Sequence, residues 1–295
     1  MIFLDEREGS FSDELGRYLL RESPDRAPEV VRAVARIVEG VRSGGDRALF
    51  RYARRYDGTR LSAQNIEVFR DEMKRALDKL PREIIATLKN AADRIRSYHK
   101  KQLKAWALDR NFEFTDSLGI VMGQKARPME HVGVYVPGGK AAYPSSVLMG
   151  ALPAKIAGVG EIVMVSPQKE GAFHPHLLAA AQLAGVDRVF RVGGAHAIAA
   201  LAYGTESIPR VDKVVGPGNA YVTAAKRMVY GAVDIDMVAG PTEVVVLSDG
   251  GADPAYVAAD MLSQAEHDEA ARAVLITTDK REARAVCNEV ARQLK

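Results

Sequence analysis

The sequence predicts an α/β protein of two Rossmann-like parallel-sheet domains preceded by an N-terminal helical arm. Three observations predict it. From residue 132 onward, short β-rich runs alternate with longer helix-like stretches, the pattern of parallel sheets joined by crossover helices. The stretch before it is charged and carries apolar residues at helical spacing. A chain of 295 residues is long enough for two domains of ordinary size.

Met1 to about Arg26 reads as an arm. From Pro28 to Tyr56, Val30, Val31, Val34, Ile37, Val38, Val41, Ala48, Leu49 and Tyr52 recur at steps of three and four, an amphipathic stripe. Ser43-Gly44-Gly45-Asp46 interrupts it, with Asp46 placed to cap the following helix. A second periodic stretch covers Arg82 to Trp106. Strands are expected at Val132–Val136, Glu161–Ser166, Arg188–Val192, Lys213–Val215, Glu243–Leu247 and Ala273–Thr277. Helices are expected at Ser146–Ala157, His174–Ala184, Ala195–Tyr203, Ala220–Tyr230, Pro254–His267 and Arg281–Leu294. The expected division is an arm over 1–26, a first α/β domain over 27–131 plus 241–295, incomplete at its C-terminal end, and a second Rossmann-like domain over 132–240.

Composition is that of an ordinary globular protein, 47% apolar and 27% charged. The net charge of +3, from 41 basic and 38 acidic residues, argues neither for nor against a polyanionic partner. The most basic run, Arg94, Arg96, His99, Lys100, Lys101 and Lys104, reads as the solvated face of a helix, so no nucleic acid is expected. Met1–Leu4 is followed at once by Asp5, Glu6 and Arg7, which leaves no signal-peptide core. No apolar run reaches the length of a membrane span. The single cysteine, Cys287, forms no intrachain disulfide and fits a reducing compartment; the expected location is the cytoplasm.

Three glycine-rich turns stand where a strand hands over to a helix: Pro137-Gly138-Gly139, Gly193-Gly194-Ala195-His196 and Gly216-Pro217-Gly218-Asn219. Glycine there lets the backbone approach a phosphate, and the helix N-terminus supplies N–H donors. None matches G-x-G-x-x-G; the third has Tyr221 where the last glycine belongs. Each alone is ordinary turn chemistry. Three in one layer favour a nucleotide or another anionic ligand.

Leu262–Asp268 (LSQAEHD) ends a helix on which Gln264 and His267, three apart, share a face, with Asp260 one turn earlier. An amide oxygen and a neutral imidazole both suit zinc, which needs about three protein ligands in a catalytic site. This helix offers two, and from the residues alone surface or capping roles are the more common reading. His131, His174 and His176 sit in turns or at a strand start, and His196 either caps its helix or contacts a ligand. Cys287 shares a face with Ala283 and Val290 and reads as core, so no cysteine is poised for thiohemiacetal chemistry.

Together these segments resemble histidinol dehydrogenases. The resemblance is carried by 132–139 (VGVYVPGG), 192–205 (VGGAHAIAALAYGT), 214–227 (VVGPGNAYVTAAKR), 239–246 (AGPTEVVV) and 262–268 (LSQAEHD), with 43–58 (SGGDRALFRYARRYDG) also similar. It implies a homodimer with one zinc per active site, oxidising L-histidinol through an enzyme-held aldehyde to L-histidine while reducing two NAD in turn. It places Tyr135, Asn219 and His196 at NAD-contacting positions, the last often glutamine in the family. It places Thr242, often serine, against the substrate, and Gln264 and His267 both there and among the zinc ligands. The family's catalytic Glu-His pair, in a Pro-Glu-His-Leu context, and its remaining zinc ligands are expected beyond Lys295. No catalytic residue is therefore expected within these residues, nor turnover from them alone. The sequence leaves open a related NAD-dependent dehydrogenase of another alcohol, such as a sulfonated diol, and a non-catalytic nucleotide-binding fragment.

Overall fold

The computed structural model describes residues 2–20, 24–106, 111–138, 142–168, 173–238, 242–266 and 271–295. Its first elements are α1 (Phe11–Leu19), α2 (Pro28–Tyr52), β1 (Glu67–Val68), α3 (Arg70–Asp78) and α4 (Arg82–Trp106). Next come β2 (Phe112–Thr115), β3 (Val121–Gln124), β4 (His131–Tyr135), α5 (Pro144–Ala157), β5 (Glu161–Val165) and α6 (Pro175–Ala184). The chain continues through β6 (Arg188–Phe190), α7 (Gly194–Tyr203), β7 (Lys213–Val215), α8 (Ala220–Val229) and β8 (Asp234–Ile235). It ends with β9 (Glu243–Ser248), α9 (Pro254–Ala265), β10 (Arg272–Thr277) and α10 (Lys280–Gln293). The α/β alternation expected after residue 132 is present in the expected order, with β8 added. His267 and Gly139 lie outside the described residues.

Residues 29–238 form one compact unit around a six-stranded sheet of order β1-β6-β5-β4-β7-β8. β4 to β8 are parallel, and β1 pairs antiparallel with β6 at the edge. The chain thus starts in mid-sheet at β4, steps outward through β5 and β6, then returns to the other side as β7 and β8. That is the dinucleotide-fold order, and its direction reverses between β4 and β7. β4 and β5 are buried nearly throughout, as apolar runs are in parallel sheets covered on both faces.

α3 packs on α6, and α4 on α5 and α6. Met73, Ala76 and Ala92 enter the same core as Val134, Val147, Leu152 and Leu177. The structure therefore divides the chain elsewhere than expected: α2 to α4 belong with the six-stranded sheet rather than with residues 241–295. The physical reason is that an amphipathic stripe specifies burial but not the surface that buries it.

The interruption of α2 falls at Gly45, with φ 52° and ψ −141°. Asp46 does not cap the helix as expected. Its N–H donates to Glu206 Oε2 at 2.7 Å, while its own carboxylate accepts from Ser207 N at 3.3 Å and from Ser207 Oγ. The Asp46 amide holds the Glu206 carboxyl below its ordinary range. The β2–β3 hairpin was not anticipated. Its residues are exposed along both strands, so no burial pattern betrays it; Asp116 Oδ1 closes the turn by accepting from Leu118 N and Ile120 N, both at 2.9 Å.

Residues 1–28 and 239–295 form the second unit. β9 and β10 pair in parallel, and Val257, Ala258, Val286 and Val290 make a small core with Val246 and Leu275. Val245, Leu247 and Ile276 point to the opposite face of the strand pair and are exposed. Arg272 Nη1 donates to Tyr18 O at 3.1 Å and Lys280 pairs with Asp5 at 3.4 Å, which ties the arm to this unit. Glu282, buried, accepts from Ser248 Oγ and Thr277 Oγ1 and so joins the ends of β9 and β10. Among the described residues, no helix is long and apolar enough to cross a membrane.

Candidate functional site

The carboxyl ends of β4 and β7, where the strand order reverses, carry two of the glycine turns. Gly216 has φ 117°, and a Cβ there would stand 2.1 Å from Tyr135 O, so the β7 turn lies directly against the end of β4. Lys226, only 1% exposed, fixes this turn from inside: its Nζ donates to Gly216 O at 2.9 Å and to the Asp236 carboxylate. Asp236 accepts in turn from Gly216 N at 2.8 Å and from Met237 N at 2.7 Å. Just beyond, Asn219 caps α8, its Oδ1 accepting from Tyr221 N and Val222 N, both at 3.1 Å. The positive end of the α8 dipole beside a glycine turn favours an anion.

A second cluster joins the ends of β4 and β6. Tyr135 is buried, and its hydroxyl accepts from Gly194 N at 3.2 Å. Asp57 Oδ2 accepts from Gly193 N at 3.4 Å and lies 3.1 Å from His196 Nε2. The rings of Tyr52 and Tyr56 flank His196, each with its centroid 6.3 Å away. His196 is 1% exposed and Asp57 nearly enclosed. In this arrangement His196 supports the Gly193-Gly194 turn through Asp57 and presents no open ring edge to solvent.

Burial, with a smaller push from the Asp57 charge, drives the Tyr135 hydroxyl up to about 12 despite the opposing bond from Gly194. The folded value lies above the unfolded one. The stability contributed by the neutral phenol is therefore complete below the ordinary tyrosine value of about 10 and is lost as the pH rises through about 12. Urea titrations at pH 10 and pH 12 are expected to show wild type losing about 2–3 kcal/mol more than Tyr135→Phe over that interval. Equal losses in the two proteins would show that Tyr135 is not shielded.

In the other unit, Thr242 and Gln264 meet. Gln264 Nε2 donates to Thr242 Oγ1 and, at 3.4 Å, to Thr242 O. Two residues named from the resemblance, 22 apart in sequence, are thus in contact. An amide oxygen such as Gln264 Oε1 is a fitting donor for a divalent cation. His267 lies outside the described residues, and among the described residues no group of three or more His, Cys, Asp or Glu side chains converges. One oxygen donor does not make a zinc site. Cys287 is half-buried rather than core, Val286 and Val290 taking the core places, and burial pushes its thiol up, away from the reactive thiolate.

Three residues that the sequence reading passed over carry these turns: Asp57, Lys226 and Asp236. Lys226 was detectable. It falls on the α8 face of Val222 and Val229, both fully buried, where a lysine needs a partner. Nothing local marked Asp57 or Asp236, whose roles arise from contacts across the fold.

The histidinol dehydrogenase family model matches residues 20–295. A histidinol dehydrogenase from Syntrophotalea carbinolica is 51% identical over all of this chain and 67% of its own length. One from Listeria monocytogenes is 50% identical over 97% of this chain and 65% of its own. The crystal structure of histidinol dehydrogenase from Elizabethkingia anophelis superposes with a TM-score of 0.84 at 36% identity, covering 96% of this chain and 64% of that one. The chain spans about two thirds of the length of these relatives. A match of this extent to family model, relatives and solved fold together means that the chain belongs to the histidinol dehydrogenase family.

Proposed function

We propose that this chain provides the NAD-binding part, and a share of the zinc and substrate site, of a cytoplasmic, homodimeric enzyme oxidising L-histidinol to L-histidine. The observation that carries the reading is the switch point between β4 and β7, where the Gly216 turn and the N-terminus of α8 stand side by side. The glycine at 216 lets the β7 turn lie against the end of β4, and the positive end of the α8 dipole beside it favours a pyrophosphate. NAD bound there would supply the hydride acceptor. Tyr135 orders the Gly194 turn, Asn219 orders α8, and His196 acts through Asp57. Thr242 and Gln264 are assigned to the substrate, and Gln264 with His267 to zinc. The described donors are too few for zinc by themselves. The other ligands and the acid–base pair are assigned to the remaining third of the family's length.

The test joins this chain to the C-terminal third of a relative and follows NAD reduction by histidinol with zinc present. NADH formation is expected from the joined protein and little or none from residues 1–295. Turnover by those residues alone, or none from the joined protein, overturns the reading. In the joined protein Asn219→Ser keeps a competent cap but removes the amide. It is expected to raise KM for NAD about tenfold with folding stability unchanged.

A further inference from the structure

Helix α2 runs on into a single π-helical turn, Ala53–Asp57, which closes where Gly58 N donates to Ala53 O and Gly58 turns left-handed at φ 66°. Such turns are rare and are frequently found at functional sites. The fold encloses the last residue of this one: the Asp57 side chain is 11% exposed. Arg51 and Arg55 lie over the rings of Tyr52 and Tyr56 at 5.1 and 5.4 Å, and among the described residues neither pairs with the Asp57 carboxylate. A buried carboxylate is costly unless its lone pairs are answered, so the groups that answer it identify its role.

Both groups stand at the Gly193-Gly194 turn, 136 and 139 residues away. Asp57 Oδ2 accepts from Gly193 N at 3.4 Å and lies 3.1 Å from Nε2 of His196, in the first turn of α7. One oxygen thus holds the turn on either side of its left-handed residue, Gly194 at φ 63°. The Tyr135 hydroxyl accepts from Gly194 N at 3.2 Å, so both glycine amides are directed into the protein. They are not free for an anion, and the negative charge of Asp57 beside them disfavours one. The turn is also packed tightly, since a Cβ on Gly193 would stand 2.5 Å from Pro167. Unlike the Gly216 turn, it is a fixed wall rather than a phosphate cradle.

We infer that Asp57 is a positioning residue for the dinucleotide, acting through the Gly193-Gly194 wall and His196 rather than by contact with the cofactor. The inference rests on the NAD reading above. What the wall requires of residue 57 is an acceptor at the place of Oδ2, in reach of Gly193 N and His196 Nε2 together. An amide oxygen can fill that place, and a methyl group cannot.

Calorimetric titration of NAD into this chain tests the role. Asp57→Ala is expected to weaken NAD about tenfold, and Asp57→Asn to bind within about threefold of wild type. Gly231→Ala strains a remote turn with nothing within 4 Å of the added methyl, and is expected to bind NAD as wild type does although it is less stable. A loss of affinity that Gly231→Ala shares would make Asp57 a general support of the fold and overturn the inference, as would an Asp57→Asn as weak as Asp57→Ala. Hydrogen exchange read by mass spectrometry is expected to quicken in the peptide carrying Gly193 and Gly194 in Asp57→Ala and not in Gly231→Ala. Unchanged exchange there overturns the pinning. If Asp57→Ala binds NAD as tightly as wild type while Asn219→Ser weakens it, the positioning role falls and the NAD reading stands. If wild type takes up no NAD, both fall together.

Discussion

Gly216→Ala is expected to cost at least about 4 kcal/mol of folding stability and to abolish NAD binding. Two penalties coincide at this position. The φ of 117° lies where an L side chain is strained, worth about 1–3 kcal/mol. The added Cβ also meets a backbone oxygen, Tyr135 O, at 2.1 Å. A side chain could rotate away, but a carbonyl inside a parallel sheet cannot move without breaking its ladder. Gly231→Ala isolates the first penalty, since φ there is 98° and nothing lies within 4 Å of the new methyl. Urea denaturation followed by circular dichroism is expected to place Gly231→Ala about 1–3 kcal/mol below wild type and Gly216→Ala well below that. Near-equal values for the two would mean that the β4 and β7 turns are not packed against each other.

Asp236→Ala is expected to be nearly as damaging, at about 4–5 kcal/mol, and more so than Lys226→Met at about 2–3 kcal/mol. The asymmetry follows from exposure. The Lys226 side chain is 2% exposed and that of Asp236 31%. Removing the carboxylate strands an ammonium group in the interior with, among the described residues, only Gly216 O to receive it, and it also leaves Gly216 N and Met237 N without their acceptor. Removing the amine leaves a carboxylate that water still reaches. The double variant is expected to cost less than the sum, because the two groups act as one device. Denaturant midpoints for the three proteins decide the matter; a Lys226→Met cost equal to or above that of Asp236→Ala would sink this account.

The elements that were legible in the sequence are those whose neighbours are fixed by period alone. β4 and β5 are apolar on both faces because helices cover both, and such runs can hardly be anything else. The glycine turns were legible as turns, whereas the contact between Thr242 and Gln264 was not. Partners distant in sequence were not legible. Nothing in 28–106 says that Met73 and Ala92 face Val147 and Leu177 rather than another layer. The β2–β3 hairpin leaves no burial signature because neither face is covered. His196 read as either capping its helix or contacting a ligand, and neither its 1% exposure nor its contact with Asp57, 139 positions away, was legible.

The exchange between Asp46 and the Glu206-Ser207 pair bears on how the chain is made. The two partners are 160 residues apart, which at about 5–20 residues per second is roughly ten to thirty seconds of translation. Throughout that interval the helical segment starting at Asp46 leaves the ribosome without the acceptor for its first amide. The Asp46 amide and carboxylate therefore gain their folded partners only once the loop after α7 has emerged.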